Sequence, residues 1–280
     1  MSDAGPSSPP LDPEQEKQAE DYAPLRGVVI HRIIREEGET DLQRPAAALL
    51  WSGLAAGLSM GFSFAVQALL KAALPAEGWA HAVASFGYVV GFVVVVLGRQ
   101  QLFTESTLTA TLPALTRRDA QTTLAMLRLW AIVLVANLAG TWLFAAALAY
   151  ASPLPPEASD AMKSLLGESL ANPFGVTLVK AVFAGWLIGL MAWLLPPAGS
   201  AKLLIIVLLT WVVALAKLSH IIAGSTETAY GVLTGGASAG DYLVGFLLPT
   251  LIGNVLGGAA LVALLNHAPV RHDVAAGPPS

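Results

Sequence analysis

Two long apolar stretches of this chain are interrupted in the middle, and the interruptions match. The first reads Gly98-Arg99-Gln100-Gln101-Leu102-Phe103-Thr104-Glu105, the second Lys217-Leu218-Ser219-His220-Ile221-Ile222-Ala223-Gly224. Phe103 stands 34 positions before Asn137, which opens Asn137-Leu138-Ala139-Gly140, and His220 stands 34 before Asn254, which opens Asn254-Val255-Leu256-Gly257. Unwound backbone in lipid costs several kcal/mol per unpaired group, so such a break survives only inside protein or along a wet cavity. Matched breaks in two halves are the sequence mark of a membrane transporter built from repeats, with its site at the breaks.

Composition agrees with a membrane chain. Of the 280 residues 55% are apolar and 12% charged, and runs above the roughly 18-residue threshold for a spanning helix recur. The absence of cysteine excludes disulfides, thiol nucleophiles and thiolate metal sites. No basic patch interleaved with aromatics points to nucleic acid, and nothing calls for a metal or cofactor.

The pattern predicts an all-α membrane protein of six transmembrane helices, the second and fifth broken. Residues 1–45 read as a cytoplasmic tail with ten acidic and five basic residues, disordered at its Ser7-Ser8-Pro9-Pro10 start, with an interfacial helix over about 25–37. The tail lacks a signal-peptide pattern, so insertion falls to the first internal apolar segment. Residues 46–152 form the first three-helix half, 153–172 a proline-bearing periplasmic loop, 173–268 the second half and 269–280 a cytoplasmic tail. Within these, spans are expected at about 46–70, 80–115, 127–150, 174–195, 202–236 and 242–266.

Basic residues set the orientation. Lys17, Arg26, Arg32, Arg35, Arg44, Arg117, Arg118, Arg128, Lys202 and Arg271 fall on one side, and only Lys71 and Lys163 on the other. Both termini are therefore expected in the cytoplasm. Gly53, Gly57 and Gly61, Gly87 and Gly91, and Gly253 and Gly257 recur four apart, the spacing that lets helix backbones approach closely.

The breaks carry the chemistry. His220 is the only histidine within an apolar segment. As a structural histidine it would simply be hydrogen-bonded; in a matched break it is a candidate for polarising or protonating what passes. Arg99 and Lys217 each need a partner or water, because an unpaired charge in the membrane is costly. Glu105 and Glu227 are the expected partners, bracing the loops; left free, the cations would instead draw an anion inward. A triad of Ser219, His220 and Glu227 is disfavoured because adjacent residues point apart in regular structure, so no enzyme is expected.

At these residues the chain resembles the formate/nitrite transporter family. The resemblance covers about 45–268 and rests on Leu102-Phe103-Thr104, on His220 followed by Ile222-Ala223, and on the two Asn-x-x-Gly motifs. It implies an aquaporin-like inverted three-plus-three repeat, a homopentamer with one pore per subunit in a bacterial inner membrane, and passage of a small monovalent weak-acid anion with a proton. It also assigns Leu102 to an apolar gate, Phe103 and Thr104 to the first loop, His220 to the central position, and Tyr88 and Phe92 to bulky positions on the second span. Val213 falls where a gating aromatic is common, and Gly185 where an asparagine is usual. Asn137, Gly140, Asn254 and Gly257 belong to helix packing. The chain reads as a divergent branch, since Ser219 stands where glutamate is frequent and Arg99 and Lys217 replace small residues. Alternatives are a neutral-solute channel on the same scaffold, although neither break carries Asn-Pro-Ala, and a non-transporting membrane scaffold acting through its acidic tail.

Overall fold

In a computed structural model of the chain, residues 12–15, 25–263, 265 and 268 are described. The expectations for the start of the tail, for Lys17 and for the 269–280 tail with Arg271 lie outside them. Among the described residues every regular element is helical, and six helices are long and apolar enough to cross a membrane.

Helix α1 (Gly27–Leu42) precedes the first span, α2 (Ala46–Ala73). The second long segment divides into α3 (Gly78–Leu97), α4 (Phe103–Thr109) and α5 (Thr111–Arg117). The third span is α6 (Ala120–Ala146), continued by a wider turn to Ala151. After α7 (Glu157–Leu170) come α8 (Phe174–Leu194), α9 (Lys202–Leu215) and α10 (Ile221–Leu233). The last span runs from Asp241 through α11 (Leu248–Val255) to Ala263. Both long segments therefore break as expected.

The stretch 153–172 is not a plain loop: it holds α7. Its prolines stand just before the helix, where a missing N–H costs nothing, and Pro156 is the residue preceding the first turn. Ala158, Ala161, Met162, Leu165 and Leu166 follow at helical spacing and are buried. Of these, Ala161, Met162 and Leu165 pack with Phe64 and Tyr230 in an apolar cluster that seats α7 across one end of the bundle. At the other end α1 packs on α4, α5 and α6. Gly38 of α1 comes so close to the Thr109 carbonyl that a Cβ would lie 2.0 Å from its oxygen.

Small residues join the spans pairwise. A Cβ on Gly57 would lie 2.1 Å from the Asn137 carbonyl oxygen, and one on Gly257 2.2 Å from that of Val182. These contacts hold α2 against α6 and α8 against the last span. Outward-facing positions such as Trp51, Phe62, Leu124, Val135 and Leu204 are large, apolar and exposed, as suits a surface turned to lipid or to another subunit.

Candidate functional site

The breaks are built alike. Each lasts five residues, Gly98–Leu102 and Ala216–His220. Each begins with a helix end closed in the same way: the Gln100 N–H donates to the Val95 carbonyl at 3.0 Å, and that of Leu218 to Val213 at 2.9 Å. The turn passes through one left-handed residue, Arg99 with φ 53° and Lys217 with φ 51°. This is a Schellman ending with a cation where glycine is usual. The left-handed conformation costs roughly 1–2 kcal/mol there, and a positive side chain at a helix C-terminus offsets part of that cost.

The second half of each break is fastened by asparagine. Asn137 Oδ1 accepts the Phe103 N–H at 2.9 Å, while its Nδ2 donates to the carbonyls of Gly53 at 2.7 Å and Gln101 at 2.9 Å. Asn254 Oδ1 accepts the Ile221 N–H at 2.8 Å, and its Nδ2 donates to Ala181 at 2.8 Å and Ser219 at 2.9 Å. Each amide thus ties a broken span to its neighbours and satisfies a donor that the first turn of a helix leaves open. By these bonds Phe103 corresponds to Ile221, and Leu102 to His220. Equal 34-residue spacing would pair Phe103 with His220; the hydrogen bonds shift that pairing by one residue.

His220 is 1% exposed. Its Nδ1 accepts the Ala223 N–H at 3.2 Å, which leaves the proton of a neutral ring on Nε2. Nε2 lies 2.8 Å from Thr104 Oγ1 and donates to it, so the Thr104 hydroxyl keeps its own proton for a further acceptor. The Phe92 ring meets the imidazole edge-on at 5.0 Å between centroids, and the Tyr88 ring lies tilted against Phe92 at 5.3 Å.

A cavity opens on either side of this group. On the α1 side it measures about 440 Å³ and ends at Leu102, with Glu37, Asp41, Arg99, Gln101, Glu105 and Lys202 on its walls. On the α7 side a smaller one of about 50 Å³ reaches His220 and Tyr88, lined also by Gln67, Glu168, Ser169, Lys217, Glu227 and Phe246. Leu102, Phe92 and Val213 lie in the apolar core between them.

Several expected partners differ. Arg99 pairs with Glu37 of α1 at 2.7 Å, not with Glu105. Lys217 pairs with Glu168 of α7 at 3.0 Å, not with Glu227. Glu105 faces the larger cavity with Oε1 buried and unpartnered. Glu227 accepts a hydrogen bond from Ser169. The Phe103 side chain turns away from both cavities to meet Trp130 edge-on at 6.1 Å. Gly185 lines neither cavity and packs on Asn254, where a Cβ would sit 2.4 Å from the carbonyl oxygen. It occupies the place that Gly57 has against Asn137, so an asparagine there would collide with backbone. Gly140 likewise packs on α2, 2.6 Å from the Leu54 carbonyl oxygen for a Cβ.

Glu37, Glu168, Ser169, Gln67 and Phe246 lie beyond the residues singled out from the sequence. The signal for Glu168 was available: it stands near the end of the amphipathic α7. Burial alone would raise its carboxyl, but hydrogen bonds from Lys71 and Lys217 outweigh it and hold the group below the usual carboxylate range.

The sequence pattern of the formate/nitrite transporter family matches residues 28–268. Inner membrane protein YfdC of Escherichia coli (strain K12) is 40% identical over 255 residues, covering 91% of this chain and 82% of its own. An uncharacterized transporter of Bacillus subtilis (strain 168), YrhG, is 25% identical over 237 residues, covering 82% and 88%. In fold, the chain is similar to a pentameric formate channel with formate bound, at TM-score 0.70 and 17% identity, covering 81% of this chain and 98% of that one. An FNT family ion channel gives TM-score 0.70 at 21% identity, covering 87% and 96%. The family and its structural neighbours are transporters and channels, not enzymes. With a match that spans both breaks, both asparagine clamps and His220, the chain belongs to the formate/nitrite transporter family.

Proposed function

We propose that the protein passes small monovalent anions of weak acids, such as formate or nitrite, with a proton, along a path through each subunit at His220. The observation that carries this reading is the buried His220–Thr104 pair lying between two polar cavities. A bare anion meets a high barrier in apolar surroundings, because charge loses its hydration there. The Thr104 proton, backed by Nε2–H, is a hydrogen-bond donor at that barrier, and a proton carried on the anion removes the remaining charge. Leu102 limits the path on one side, and Tyr88 with Phe92 on the other. A proton added to the ring at Nδ1 would displace the Ala223 N–H, so transfer through the ring disturbs the first turn of α10.

Membership of the family and likeness to a pentameric channel support a homopentamer embedded in lipid, with an inverted three-plus-three repeat. The excess of lysine and arginine on the α1 side supports cytoplasmic termini in a bacterial inner membrane. A second reading, a neutral-solute channel, draws on the carboxylates Glu37, Asp41 and Glu105 that share the larger cavity with Arg99 and Lys202.

Flux into proteoliposomes separates the readings. Formate, nitrite, lactate and chloride are compared at pH 5 and pH 7.5, for the native protein and for His220→Asn, with glycerol swelling in parallel. Weak-acid flux that depends on pH and on His220 supports the anion reading. Glycerol swelling without anion flux supports the neutral one, and unchanged pH dependence in His220→Asn removes the histidine from the mechanism.

A further inference from the structure

On the α7 side, one carboxylate is shared between two cations. Glu168 Oε1 meets Lys71 Nζ at 2.6 Å, and Oε2 meets Lys217 Nζ at 3.0 Å. Lys71 stands in the last turn of α2 and Lys217 at the left-handed turn of the second break, so the two ammonium groups come from separate elements. Each lysine takes one oxygen of a bridging carboxylate. A free monocarboxylate or nitrite offers the same pair of oxygens at the same spacing.

The group is reachable from water. The side chains of Lys71, Glu168 and Lys217 are 29%, 26% and 47% exposed, while His220 beneath is 1% exposed. Glu168 and Lys217 also line the small cavity that reaches His220. The helix that brings Glu168 here is held by Ala161, Met162 and Leu165, buried in the apolar cluster with Phe64 and Tyr230. Moving the Glu168 carboxylate therefore takes a side-chain rotation and leaves α7 in place.

We infer that Lys71 and Lys217 form a receiving site for a small carboxylate or like anion at the α7-side mouth of the path, and that Glu168 is its built-in occupant, which the travelling anion displaces. This rests on the anion reading above. A tethered occupant competes at an effective concentration of order mM. It lowers the fraction of receptive sites and raises the apparent dissociation constant by the same factor. Removing its charge while keeping its size should lower half-saturating formate by about tenfold, equivalent to about 1.4 kcal/mol.

The test has two arms. In proteoliposomes, half-saturation for formate is measured for the native protein, for Glu168→Gln and for Glu168→Asp, whose shorter side chain cannot span both lysines. In detergent, the Tm of the same proteins and of the double variant Glu168→Gln/Lys217→Met is followed as sodium formate replaces sodium gluconate, since a ligand that binds the folded state raises Tm. The expected result is tighter half-saturation in both single variants, and a formate-dependent rise in Tm for Glu168→Gln that vanishes in the double variant. Half-saturation within about twofold of native, together with no rise in Tm for Glu168→Gln, overturns the proposal and leaves Glu168 as a brace between α7 and the break. Absence of anion flux in every protein refutes the transport reading alone. The Tm arm then still decides whether the lysines receive an anion.

Discussion

Replacing Asn254 by alanine removes three hydrogen bonds from a fully buried position. The Ile221 N–H loses the Asn254 oxygen that accepts it and is left inside the bundle, which costs about 1–3 kcal/mol. The two bonds donated by Nδ2 add about 0.6 kcal/mol each, the average for such bonds inside membranes. The sum is about 3 kcal/mol, which lowers Tm by about 6–12 °C for a chain of this size. Asn137→Ala cuts the corresponding three bonds and should cost the same. The two variants should part in function, because Asn254 holds Ser219 beside His220, whereas Asn137 holds Gln101 beside Leu102. Thermal unfolding of detergent-purified protein, scored by the fraction surviving gel filtration, measures the first quantity, and the formate flux assay the second. A loss in Tm below about 2 °C in both would show that water or a neighbouring carbonyl shift replaces the clamps, and the account of how the breaks are held would fail.

Thr104→Val keeps the shape of the side chain but leaves the His220 Nε2–H without an acceptor, so anion flux should fall about tenfold or more with the oligomer intact; native flux would remove the hydroxyl from the path. Gly185→Asn restores the residue usual in the resemblance, yet its Cβ would lie 2.4 Å from the Asn254 carbonyl oxygen, so yield of folded protein should collapse; normal yield and Tm would show that α8 can shift. Because the Glu168 carboxyl is held below its ordinary value, its ion pairs contribute stability that is present above about pH 4.5 and lost as pH falls further. Tm measured from pH 7 to pH 3.5 should therefore drop more steeply in native protein than in Glu168→Gln, and parallel curves would contradict the shared carboxylate.

The sequence was most legible where one residue type or one period carries the meaning. Apolar runs of membrane length dictated six spans, because backbone in lipid has only the helix to satisfy it. The breaks showed as polar residues inside those runs, and the glycines four apart as close contacts, since a Cβ at any of them would fall within 3 Å of a neighbouring helix. The helix in 157–170 was legible too, in the spacing of Ala158, Ala161, Met162, Leu165 and Leu166, but the prolines before it suggested a loop.

Partnership is what the linear order did not contain. Arg99 could be seen to need an acid, and Glu105 was near in sequence, yet Glu37 lies 62 positions away on a helix that folds back over the break. The same holds for Lys217, whose acid comes from α7. Which residue of each break meets its asparagine was also undecided, because spacing counts positions while a hydrogen bond selects one N–H. The tertiary structure made that choice, pairing Leu102 with His220 and turning Phe103 into the core. It also gave Gly185 its role, since only the distance to Asn254 shows that the position has no room for a side chain. Sequence by itself determined that this chain must break two spans inside a membrane, because the cost of unpaired backbone is local. The packing of distant helices decided which groups satisfy those breaks and face the cavities, because contacts between remote segments exist only after the chain has folded.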